Sequence, residues 1–308
     1  MKGRGGWRRI IGHPLVKAAY FGLLIAATAF YLYRWGGHLP GLLAQMRPEW
    51  AAAALAATAV AGLVYSSIQY ALYRRLGVSI SYWTTFRIIN ISQLGKYLPG
   101  RVMFVGNYYL LSREVGIGNA QIGASFVISQ ALWMLTACLC GLPMLTLLNP
   151  ALRYTVLLMP LALALLIHPR FLGFLLRLGQ RLVGRAQGEL PSLPEGLGAA
   201  FYLGIAFLYL VNWGLAGLGA WFSLRAFGPT GLQALPLAMP AVAMGTVIGF
   251  VALFAPAGLG VREGLGAVIL APAVGGQVAL LGLLLLRGLT VVVDLSFGGL
   301  GLLLKPRA

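Results

Sequence analysis

The chain has 308 residues, of which 59% are hydrophobic and 9% charged, with a mean hydropathy of +0.85, and this leaves too little polar surface to cover a water-soluble globule. Its formal net charge is +17, from 23 basic and 6 acidic residues. The basic residues lie between long apolar runs, as topology signals and lipid contacts do, and no stretch has the aromatic spacing of a nucleic-acid module. The expectation is an all-α integral membrane protein, a polytopic helical bundle.

In chain order, Lys2, Arg4, Arg8, Arg9 and Lys17 flank an apolar run from about Leu15 to Tyr33 that carries aromatic residues and no clear small-residue cleavage site. This predicts an uncleaved first span with the N-terminus cytoplasmic. A second span, about Trp50 to Tyr73, ends at Arg74 and Arg75, again on the cytoplasmic side. Ser79 to Leu111 is then a broken segment, holding Arg87, Asn90, Gln93, Lys96 and Arg101, with Gly95, Pro99 and Gly100 interrupting the run SQLGKYLPGR. Backbone freed by such a break needs partners, so at bilayer depth it survives only inside protein or beside a watery cavity. Spans out, about Ala120 to Leu148, and back, about Tyr154 to Ile167, lead to a basic amphipathic cytoplasmic linker, about 168–197. Its Arg170, Arg177, Arg181 and Arg185 alternate with apolar residues, which suits an anionic leaflet. Gly198 to Phe222 crosses outward. Leu232 to Ala273 is a second broken segment, entered from outside and containing LFAPAGLGVREG at Leu253–Gly264. The last span, about Gln277 to Leu304, returns to Lys305 and Arg307, so both termini are cytoplasmic. The count is about six crossings plus two re-entrant pairs, or about eight membrane segments.

The order span, broken segment, span occurs twice in opposite directions, with repeat halves at about 50–148 and 198–304 of a single domain, 1–308. One displacement sets Gly95–Gly100 against Ala252–Ala257, Pro99 against Pro256 and Gln130 against Arg287. An inverted repeat with interrupted helices places a substrate site near the midplane and allows alternating access.

Charge inside a membrane costs several kcal/mol or more and is retained mostly where it functions. Lys96 and Arg101 flank the first Pro-Gly break; the alternative is that both snorkel to the headgroups. Arg262 and Glu263 lie in the second break, as a self-contained ion pair or as substrate contacts. Arg287 and Asp294 are seven residues apart and share a helix face. They are expected to point inward, Asp294 to one of the cavity's arginines and Arg287 to a phosphate, with a structural ion pair as the alternative. Gly245 with Gly249, and Gly260 with Gly264, have the spacing of close helix packing, and Trp7, Trp35, Trp50, Trp83 and Trp221 fall near predicted span ends. Cys138 and Cys140, the only cysteines, read as inert core residues. His13, His38 and His168 fall on different loops, Glu189 and Glu195 read as counter-charges, and no nucleotide-binding loop occurs. The chain is therefore not expected to be an enzyme: no catalytic residue, metal site or cofactor is assigned.

The runs ISQLGKYLPGR and YLLSREVGI, with the later APAGLGVREG and LLLLRGLTVVVD, resemble the lysylphosphatidylglycerol synthase transmembrane region family, flippase-like integral membrane proteins. The likeness extends over nearly the whole chain. It implies a bacterial cytoplasmic (inner) membrane protein similar to the flippase half of multiple peptide resistance factors, which moves aminoacylated phosphatidylglycerol between leaflets. It also implies that Lys96, Arg101, Arg262, Glu263 and Arg287 match the family's polar cavity positions. Ser129 and Gln130 stand where members often carry a Glu and an Arg, and Asp294 where a Pro is common, so substrate choice or coupling is open to difference. The aminoacyl-transferase domain of the full synthases is absent from this sequence.

The reading that results is a multi-pass protein translocating an anionic phospholipid or a lipid-linked substrate between leaflets. Lys96, Arg101, Arg262, Glu263, Arg287, Asp294, Asn90 and Gln93 are its expected headgroup-binding residues. Its partners are membrane lipids, not nucleic acid, and copies of itself or a lipid-synthesising enzyme are compatible with the sequence. The alternative is a non-catalytic membrane partner that presents lipid to a separate glycosyltransferase or lipid synthase.

Overall fold

The computed structural model describes residues 46–97, 102–141, 198–251 and 260–305. The spans expected at Leu15–Tyr33 and Tyr154–Ile167, the 168–197 linker, Pro99, Arg101 and Pro256 lie outside the described residues. The described residues from Arg47 onward belong to one compact unit. The described helices are α1 Pro48–Arg75, α2 Tyr82–Leu94, α3 Val102–Glu114, α4 Asn119–Gly141, α5 Ala199–Arg225, α6 Leu235–Val251, α7 Val261–Val274 and α8 Gly276–Leu303, and there is no strand among the described residues.

A helix needs about 20 apolar residues to cross about 30 Å of hydrocarbon. Five stretches are long and apolar enough: α1, α4, Ala200–Arg225 in α5, Leu232–Phe250 around α6, and α8. At 13, 13 and 14 residues, α2, α3 and α7 are not; a 13-residue helix is only about 20 Å long. The chain is thus an all-α, multi-pass membrane protein. In the second broken segment, Leu232–Ala234 forms a single 3-10 turn that runs into α6, and α7 begins at Val261.

Local chemistry sets the helix ends. Pro48 opens α1 without losing an intrahelical bond, and Arg74 and Arg75 sit in its last turn, where the helix dipole favours cations. Ser81 caps α2, its hydroxyl accepting from the Thr84 N–H at 3.1 Å. Gly260 precedes α7 at φ 80°, a conformation that costs other residues about 1–2 kcal/mol, and its N–H donates to Glu263 Oε2 at 2.8 Å.

The chain directions follow from contacts at the helix ends. The Arg47 N–H donates to Ala226 O at 2.9 Å, so the start of α1 meets the end of α5 and the two run antiparallel, over the most extensive helix contact in the structure. Gln121 Nε2 donates to Leu76 O at 3.3 Å, so α4 begins where α1 ends, and the α2–α3 hairpin leaves and returns at that same end. Arg87 near the start of α2 pairs with Glu114 at the end of α3, at 3.3 Å, which closes the hairpin's base. At the other end of α1 and α5, Gly228 lies against Val278 of α8, so the stretch holding α6 and α7 also leaves and returns at one end. The two hairpins therefore depart from opposite ends of the α1–α5 pair.

Both hairpins depend on close backbone approach. A Cβ on Gly95 would fall on the backbone of Met103 and Phe104 at the start of α3, and one on Gly245 would lie 2.7 Å from Arg262 O in α7. Gly260 and Gly264, expected to serve helix packing, have nothing within 4 Å of a notional Cβ, so that expectation is corrected: Gly260 serves a positive φ. Cys138 and Cys140 are free and buried. Trp221, expected at the interface, is only 7% exposed and donates from Nε1 to Gly231 O at 3.2 Å. It joins Trp50 in flanking the Arg225 guanidinium, whose carbon lies 3.9 Å from the Trp50 ring and 4.8 Å from the Trp221 ring. Trp83, at 60% exposure, keeps a surface position.

Candidate functional site

Lys96 falls in the 3-10 turn Gly95–Tyr97 that ends the first limb of the first hairpin. The tight turn is allowed because Gly95 has no side chain to strike α3. Arg262 and Glu263 fall in the first turn of α7, in the second hairpin, and Arg287 and Asp294 lie two turns apart on α8. All five meet in one region. Lys96 Nζ is 2.7 Å from Asp294 Oδ2, with 23% and 13% of the two side chains exposed. The Tyr97 hydroxyl donates to that same Oδ2. Arg287 Nε lies 3.9 Å from Glu263 Oε1 at 4% and 6% exposure, and its guanidinium carbon is 5.4 Å from the Tyr97 ring. Tyr97 thus separates the two ion pairs and touches both.

A cavity of about 240 Å³ opens onto this cluster, lined among others by Asn90, Gln93, Lys96, Arg262, Arg287 and Asp294. A smaller void of about 30 Å³, roughly the space of one water, lies beside Glu263 and Arg287. Asn90 is 5% exposed and is held by donation from Nδ2 to Ser66 Oγ at 3.1 Å and to Phe86 O at 2.9 Å. Among the described residues, three cations, Lys96, Arg262 and Arg287, stand with two carboxylates, Asp294 and Glu263. A carboxylate already sits on Lys96, so an entering oxyanion would meet a donor set shaped for oxygen and would compete with Asp294 for it.

Seven of the eight expected headgroup residues thus line the cavity or pair with a residue that does; the eighth, Arg101, lies outside the described residues. Two pairings differ from expectation. Asp294 takes Lys96 rather than an arginine, because the lysine is at the hairpin tip that reaches α8. Arg287 faces Glu263, so the carboxylate of the second hairpin meets the arginine of α8. Tyr97 was missed, although it adjoins Lys96 in the first break; aromatic residues near a charge cluster are a usable signal for such a bridging hydroxyl. Also missed were Tyr65, Trp133, Asn212 and Trp213, which line the same cavity and are scattered in sequence over three apolar helices. Gln130 and Arg287, matched by the repeat displacement, line the same cavity.

Helices of spanning length around a charged cavity define a polytopic α-helical membrane protein. The profile of the family described as "Lysylphosphatidylglycerol synthase TM region" matches residues 18–298, and the chain belongs to that family. Among curated proteins no significant match is found.

Proposed function

We propose that the chain moves an anionic phospholipid or lipid-linked substrate between the leaflets of a bacterial cytoplasmic membrane, with no catalytic step of its own. The observation that carries this reading is the meeting of Lys96–Asp294 and Arg287–Glu263 around Tyr97, where two hairpins arriving from opposite ends reach one cavity. In this reading α2–α3 is re-entrant from the cytoplasmic side and α6–α7 from the outside, as two halves of an inverted repeat, and both termini are cytoplasmic. Each hairpin can then open the cavity to its own face while the other closes it. Headgroup phosphate displaces Asp294 from Lys96 and is held by the cations while the tails stay in lipid, which offsets the desolvation cost of carrying the charge across. Family membership supports a lipid-related role.

The test is transbilayer movement of fluorescent phosphatidylglycerol in proteoliposomes. Lys96→Ala and Arg287→Ala should each slow movement by about ten-fold or more, in line with the loss of a charge-assisted contact. Asp294→Ala should rescue part of the loss in Lys96→Ala, since it removes a carboxylate left without its cation. Unchanged rates in both single variants would remove the cluster from the mechanism. A protein that moves no lipid alone but co-purifies with a lipid-modifying enzyme would instead be the partner that presents lipid.

A further inference from the structure

The two hairpins grip one long helix, α8, at different depths. α2 runs antiparallel to the second half of α8: Arg87 and Ile91 lie beside Gly301, Leu94 is 2.7 Å from a notional Cβ on Gly298, and Lys96, just past the end of α2, reaches Asp294 at 2.7 Å. α7 runs antiparallel to the first half: a Cβ on Gly266 would lie 2.7 Å from Leu283, and Glu263, almost a turn earlier, faces Arg287 at 3.9 Å. Each hairpin thus meets α8 through an ion pair at the deep end of its limb. Asp294 lies on the side of the Gly77 end, from which α2 starts, and Arg287 on the side of the Gly228 end, to which α7 returns. Seven residues separate them, about 10 Å along the helix axis.

Ion pairs are a costly way to hold packed helices. Desolvation offsets most of their attraction, so an apolar pair of similar volume holds as well or better, and the best-attested use of a buried pair is to select one arrangement over another. Leu94 on Gly298 and Leu283 on Gly266 already supply apolar contact within about a turn of each pair. Both pairs also face the interior: Lys96, Asp294 and Arg287 line the large cavity, and Glu263 borders a void that shares Arg287 with it. An oxyanion entering the cavity can therefore take the cation of either pair from its carboxylate. Loss of Lys96–Asp294 releases the deep end of α2 from α8 on the Gly77 side, and loss of Glu263–Arg287 releases the deep end of α7 on the Gly228 side. Two discrete packings of a hairpin against a rigid helix are the usual form of such a switch.

We propose that the two ion pairs are the two gates of the cavity: Lys96–Asp294 closes it toward the Gly77 end and Glu263–Arg287 closes it toward the Gly228 end. This rests on the transport reading above for the need to open to each side in turn. The test uses the full-length chain with Cys138 and Cys140 replaced by Ala and a cysteine at Ala61, which lines the cavity from α1. An impermeant thiol reagent is applied to right-side-out and to inside-out membrane vesicles without added substrate. Separate single cysteines at Gly77 and Gly228 report which face is which, so the outcome is independent of the orientation of the chain. Asp294→Asn and Lys96→Met should each speed labelling of Ala61→Cys by about five-fold or more from the Gly77 face and by less than about two-fold from the other. Glu263→Gln and Arg287→Met should do the reverse. Each pair is broken from both partners so that a variant that fails to fold leaves the other to decide. Both pairs acting on the same face, partners of one pair acting on opposite faces, labelling raised alike from both faces, or no variant raising it would overturn the proposal. Sided labelling without lipid movement in proteoliposomes supports the gates and counts against transport. Lipid movement with labelling that has no side supports transport and overturns the gates.

Discussion

At the scale of single residues, Glu263 carries two duties that separate cleanly by substitution. One carboxylate oxygen accepts the Gly260 N–H and the other faces Arg287. Breaking a buried pair costs about 3–5 kcal/mol because the surviving charge stays desolvated, and the 3.9 Å separation puts this pair at the low end of that range. Glu263→Gln keeps an acceptor for Gly260 and loses the charge, while Glu263→Ala loses both. Thermal unfolding in detergent should rank wild type above Gln and Gln above Ala, with the step from Gln to Ala about 1 kcal/mol, as for a lost helix cap. An Ala variant as stable as the Gln variant would show that the cap contributes nothing. Lys96 and Asp294 are more exposed, and their loss should be felt in lipid handling more than in stability.

Among the elements, the hairpins are held by backbone contact and the long helices by buried hydroxyls and amides. Gln69 of α1, Ser129 of α4 and Tyr209 of α5 form one network. Tyr73 of α1 meets Ser112 of α3 at 2.9 Å, and Tyr108 of α3 meets Ser125 of α4 at 2.7 Å. Such bonds average about 0.6 kcal/mol within membranes, so they fix register between helices more than they add stability. The glycines divide into those that permit contact and those that do not. Gly245→Ala places a methyl 2.7 Å from Arg262 O, so α6 and α7 must part and shift the cavity's arginine. Gly264→Ala meets open space and gains helix propensity of up to about 1 kcal/mol. The first variant should unfold at lower temperature and lose lipid movement; the second should match or exceed wild type in stability with movement unchanged. If both behave alike, close approach of α6 and α7 is not required.

For the whole molecule, opposed hairpins make a definite statement about sidedness. With Cys138 and Cys140 replaced by Ala, single cysteines at Gly77 and Lys305 should react with an impermeant thiol reagent from the cytoplasmic side, and one at Gly228 from the outside. Gly77 and Gly228 labelled from the same side would refute the topology and the inverted arrangement together. The class of this protein and the positions of α1, α4, α5 and α8 were legible in the amino-acid sequence, because hydrocarbon thickness dictates the length of an apolar run and charge inside it is rare enough to stand out. Asp294 and Arg287 could be placed inward for the same reason. Their partners could not, because periodicity fixes the direction in which a side chain leaves its own helix and says nothing of which residue on another helix waits there. Lys96 rather than an arginine reaches Asp294, Tyr97 sits between the two pairs, and Trp133 packs on Trp213 only because hairpins and long helices, far apart in the chain, converge on a single cavity.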